Sequence, residues 1–144
     1  MQLAEEVQDT HDLAQVHNIL GILASSQNNL EEAHHHLESS LALAESLNDA
    51  GSRAAALNNL ALTYGARGEI EQAITFAEAA LALCISQGDR HREAALHSNL
   101  ADLLHNVGRA EEAISHLKQS ASIYAEIGVE AGTFQPEIWK LTEW

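Results

Sequence analysis

Nine histidines in a chain of 144 residues are the first side chains whose chemistry has to be weighed. Imidazole binds metals and exchanges protons near neutral pH. His34, His35 and His36 are consecutive. On a helix, neighbours fan about 100° apart, so three in a row do not converge on one ion, and a solvated or half-buried helix face is expected. His97 and His105 lie eight residues apart and share a face, with no carboxylate or cysteine read at ligand spacing beside them. His17 and His97, 80 residues apart, occupy equivalent positions of the repeat set out below, so packing between helices is expected for these rings, and no metal is assigned. The single cysteine, Cys84, is expected to act as a small buried hydrophobe rather than a nucleophile. Glu31 with Glu32, Glu69 with Glu71, and Glu111 with Glu112 look like paired carboxylates for acid-base work. Each pair falls where a helix begins, however, and negative charge there complements the helix dipole. No glycine-rich phosphate loop, nucleophile elbow or paired-cysteine motif occurs. The chain is expected not to be an enzyme and to need no cofactor.

The elements that carry these residues are legible from composition. Hydrophobic residues make up 46% of the chain, with one proline and only 4% aromatics. Alanine and leucine dominate, so the core must come from small, closely approaching helix faces, and an all-α domain is expected. The formal charge of -14 comes from 21 acidic residues against seven basic ones. That field repels a phosphate backbone and anionic membranes, so neither nucleic acid nor membrane is an expected partner. A lone cysteine and the lack of a signal-type N-terminus make the cytoplasm the expected compartment.

Sliding the sequence on itself shows a period of 40 residues across three copies. Asn18-Ile19-Leu20-Gly21 aligns with Asn58-Asn59-Leu60-Ala61 and Ser98-Asn99-Leu100-Ala101. Leu30-Glu31-Glu32-Ala33 aligns with Ile70-Glu71-Gln72-Ala73 and Ala110-Glu111-Glu112-Ala113. Within each copy a small turn (Asn28-Asn29, Gly68-Glu69 or Gly108-Arg109) divides two helix-period segments. Asn and Gly tolerate the left-handed backbone that follows a helix end. Asp49 and Asp89 stand where an N-cap carboxylate is needed. Each copy therefore reads as one antiparallel helix pair.

The small residue after leucine (Gly21, Ala61, Ala101) and the alanine twelve residues on (Ala33, Ala73, Ala113) resemble the tetratricopeptide repeat. The 40-residue period is similar to the variant in kinesin light chains and in bacterial signal-transduction ATPases and transcription regulators. The resemblance implies a right-handed α-solenoid of antiparallel helix pairs. Its repeats would be residues 9–48, 49–88 and 89–128, preceded at 1–8 by the tail helix of a truncated repeat. Past residue 128 the register is lost, with Lys140 at the leucine site, and a C-terminal capping helix is expected over 129–144, with Pro136 in its first turn and Ile138, Trp139 and Leu141 as cover.

The resemblance further implies that the first helix of each pair lines a concave groove. The lining residues would be Gln15, Asn18 and Ile22, then Asn58, Asn59 and Leu62, then Asn99, Asp102 and His105. Asn59 and Asn99 fall at the position that, in relatives, contacts the backbone of an extended peptide. The same amides could instead bridge neighbouring helices. The basic residues with which chaperone-binding relatives hold a C-terminal carboxylate have no match, so a free acidic tail is a poor ligand. Apolar anchors with some basic residues are the expected ligand chemistry.

Three functions follow as expectations. The first is a protein-protein or protein-peptide interaction module, the C-terminal part of a larger regulatory or scaffold protein. The second is a self-association element forming a homodimer. The third is an effector-sensing segment of a regulatory ATPase or transcription factor. In any of them, other domains of a parent chain are candidate partners.

Overall fold

The computed structural model describes residues 2–128, with side chains from residue 5 onward. Six helices run in order: α1 (Gln2–Ser26), α2 (Leu30–Leu47), α3 (Ala50–Ala66), α4 (Ile70–Gln87), α5 (Arg90–Asn106) and α6 (Ala110–Ile127). The predicted all-α class is the observed one. α1 pairs with α2, α3 with α4 and α5 with α6, and α2 packs on α3 as α4 packs on α5, so the pairs stack in chain order.

The turns have the predicted chemistry. Asn28, Asn48, Gly68, Gly88, Gly108 and Gly128 all take positive φ, between 54° and 83°. At each of the five breaks between described helices two amides bond back into the preceding helix. At the α4 end, for example, Asp89 N–H donates to Cys84 C=O and Gly88 N–H to Ile85 C=O. These paired bonds satisfy carbonyls that a helix end leaves open. Asp49 accepts from the Ser52 amide and Asp89 from the Arg92 amide, so both predicted N-caps form.

One break suggested by the repeat register does not occur. Residues 1–8 align with the end of α2, yet α1 runs without interruption from Gln2 through Asp9 to Ser26. The reason is local. Positions equivalent to Gln8 hold Asn48 and Gly88, which adopt the left-handed conformation, whereas a glutamine in that conformation would be strained and instead continues the helix. The capping helix expected over 129–144, with Pro136, Ile138, Trp139 and Leu141, lies outside the described residues, as does the Leu3 side chain.

Packing follows the small-residue pattern. Ala33, Ala73, Ala101 and Ala113 are fully buried, and Ala61 nearly so. At Gly21 the approach is closest: a Cβ there would stand 2.6 Å from Leu37 Cγ. The main core joins pairs two and three, from Leu57 and Ala61 through Ile74, Ala77 and Leu81 to Leu96, Leu100 and Leu117. Cys84 is buried within it, and desolvation pushes its thiol pKa up, which keeps it protonated and inert. No described helix is long and apolar enough to cross a membrane.

Candidate interaction face

The first helices of successive pairs, α1, α3 and α5, share a face on which four hollows open. Gln15 and Asn18 line one with Ser52 and Arg92, between α1 and the start of α3. Ile22, Asn59 and Leu62 line a second, further along the same two helices. Between α3 and α5, Asn58 and Asn59 line a third with Leu96, and Leu62, Asn99 and Asp102 a fourth with Leu103. Eight of the nine residues expected in a groove therefore border these hollows. His105 stands outside them, half-buried on α5.

The hollows measure 340, 260, 120 and 190 Å³ in the order described. Small-molecule sites run from about 300 to 1,000 Å³, so most of these are sized for single side chains rather than a whole cofactor. Ile22 is 48% exposed and Leu62 49%, an apolar rim beside polar amides. Arg92 reaches across from α5 to donate to Gly51 C=O at the start of α3, and His11 approaches the Asp49 carboxylate at 3.3 Å. The Asp49 carboxyl is held below its usual range, first by the hydrogen bond from the Ser52 hydroxyl and also by the nearby His11.

The asparagines make a contact that both sequence readings bear on. Asn59 Nδ2 donates to Asn18 Oδ1 at 2.8 Å, and Asn99 Nδ2 to Asn58 Oδ1 at 3.2 Å. Each bond runs from one repeat to the one before, so the amides do bridge neighbouring helices. A carboxamide carries two N–H donors and two acceptor lone pairs, and one bond leaves the rest of that capacity in the half-exposed face. Bridging and peptide contact are thus compatible at the same side chain.

The histidines are arranged by the repeat as well. His17 Nδ1 lies 3.0 Å from His36 Nδ1, and His97 Nδ1 lies 2.8 Å from His116 Nδ1, joining the two helices of pairs one and three. Packing between helices was the expectation for His17 and His97. The sequence reading passed over two features: the partner ring 19 residues on, and the Glu93 carboxylate one turn before His97, which stands 3.5 Å from its Nε2. The signal was available as a matching His-x18-His spacing in copies one and three. Burial pushes the pKa of both His97 and His116 down, and for His116 the neighbouring His97 adds to the effect. Among the described residues no group of three or more His, Cys, Asp or Glu could hold a metal ion.

Two family models, both described as tetratricopeptide repeat, match residues 52–126 and 13–52. Among solved structures, the chain is similar to the TPR domain of Arabidopsis FLU, at 18% identity and TM-score 0.71, covering 84% of this chain and 99% of that one. It is similar to aspartyl phosphate phosphatase F from Bacillus subtilis at 16% identity and TM-score 0.79, covering 83% of this chain and 31% of the other. Nearly identical TPR-like repeats of a putative kinesin light chain from Podosopora anserina match at 22% identity and TM-score 0.63, over 96% of this chain and 62% of that one. The chain thus spans less than a third of the phosphatase and under two thirds of the kinesin light chain repeats. At these identities the shared property is the fold. A comparison with curated proteins gives no match.

Proposed function

Since this chain belongs to the tetratricopeptide repeat family, whose repeats generally mediate protein-protein interaction and are typically non-catalytic, we propose that it captures an extended protein segment on the face of α1, α3 and α5. The carrying observation is the alternation along that face: exposed Ile22 and Leu62 border hollows of side-chain size, one lined by Asn59 and the next by Asn99. Apolar side chains of the ligand fill the hollows, while the amides pair with its backbone whatever its sequence. The charge of -14 favours a segment that also carries lysine or arginine. In this reading residues 9–48, 49–88 and 89–128 are three repeats of a cytoplasmic regulatory or scaffold protein, and the bound segment belongs to a partner or to another part of a longer parent chain.

Selection from a random peptide library tests the reading. Binders should be enriched in apolar and basic residues and lose binding on Leu62→Glu, with helix content unchanged. Binders indifferent to Leu62→Glu and Asn99→Ala would move recognition off this face.

A further inference from the structure

α1 carries an apolar stripe that nothing among the described residues covers. Val16 is 48% exposed and Leu20 38%, whereas their equivalents in the next two repeats, Ala56 and Leu96, then Leu60 and Leu100, are at most 2% exposed. The difference is the neighbour: α2 lies against α3 and α4 against α5, while α1 begins the described stack. Leu13 and Leu23, 48% and 51% exposed, extend the stripe to positions 13, 16, 20 and 23. That alternating three-and-four spacing is the seam of paired helices.

Two further features identify what fits it. Between Asp12 and Glu31 the chain has no Asp, Glu, Lys or Arg. In a molecule of charge -14, this seam is where two copies can meet without placing carboxylates against each other. Ile19, 62% exposed, occupies the position of Asn59 and Asn99, which bond back to the repeat before them. One more repeat in the same register would offer a side-chain amide there and find no partner on isoleucine; an apolar surface is the better match. We propose that α1 is a homodimer interface, in which two copies pair their α1 helices antiparallel about a two-fold axis near Ile19 and Leu20. The symmetry sets Val16 of one copy beside Leu23 of the other, and Ile19 beside Leu20. It also sets Asp12, at the end of the seam, over the uncharged turn Gln27–Asn29 of the second copy.

The test is sedimentation velocity of the 144-residue chain over about a hundredfold range of concentration. The mass should rise from 15.6 kDa to twice that and stop there. Ile19→Glu should stay at the monomer mass with unchanged helix content, and mixing it with Ile19→Lys should restore the dimer mass. A wild-type chain that remains monomeric, growth beyond the dimer, or an Ile19→Glu variant that dimerises like wild type would overturn the assignment. Peptide binding on the α1, α3 and α5 face is measured separately on the wild-type chain at concentrations where it sediments as a monomer, so loss of one reading leaves the other standing.

Discussion

Asn59 donates its side-chain amide to Asn18 at 2.8 Å, and forty residues later Asn99 does the same to Asn58 at 3.2 Å. A hydrogen bond between side chains thus recurs with the period of the sequence. It locks the first helices of adjacent pairs at the floor of the proposed binding face, so that face keeps its shape before any ligand arrives.

The ladder should contribute measurably to stability. Asn59→Ala removes one bond and leaves a half-buried Asn18 amide without its donor, a change costing about 0.5–1.5 kcal/mol. Urea unfolding of the variant checks this. A midpoint equal to that of wild type would mean that the bridge holds nothing in solution.

Close approach makes a paired prediction at two glycines. Gly21→Ala places a methyl 2.6 Å from Leu37 Cγ, a buried side chain with little room to move. Overpacking of this kind costs about 1–3 kcal/mol, more than the roughly 1 kcal/mol gained from the better helix former. Gly51→Ala, by contrast, meets only an Asp49 carboxylate oxygen at an ordinary 3.6 Å and should stabilise α3 by up to about 1 kcal/mol. Thermal melts should therefore move in opposite directions.

Acid should weaken the third pair. His97 and His116 share one hydrogen between their Nδ1 atoms, a bond that requires at least one ring to stay neutral. Burial holds both pKa values below the usual histidine value in the folded chain. The unfolded chain therefore binds protons more readily. Stability should be level above about pH 6.5 and fall as pH drops below it, before the bulk of the carboxylates titrate. Repeat two carries Leu57 and Phe76 at the same two positions. The double variant His97→Leu, His116→Phe should flatten that fall in denaturation midpoints taken from pH 7 to pH 5.

Most of the fold was legible because its determinants are local and repeated. A left-handed turn residue and an alanine repeated three times at fixed spacing, with N-cap aspartates opening the second and third pairs, specify three helix pairs without tertiary information. The departure at Asp9 was legible too, since Gln8 replaces the Asn or Gly on which every later break depends. Side-chain partnerships were harder to read. His97 bonds across the pair to His116, and Ser120 Oγ donates to the Ala94 carbonyl, as Ser40 does to Ala14. Such contacts depend on the relative rotation of two packed helices, which periodicity constrains only coarsely. The candidate face rested on the resemblance to the tetratricopeptide repeat, which implies that the first helix of each pair lines a groove; the Asn59–Asn18 bond within it required the stacking geometry.

Hydrogen exchange of the wild-type chain, with and without a library-selected peptide, bears most directly on recognition by the first-helix face. Protection should increase along α1, α3 and α5 around Ile22, Asn59, Leu62 and Asn99, leaving the second helices near Ile85 and His116 unchanged. Protection centred on α4 and α6 instead would contradict the account and place the binding surface on the opposite side of the stack.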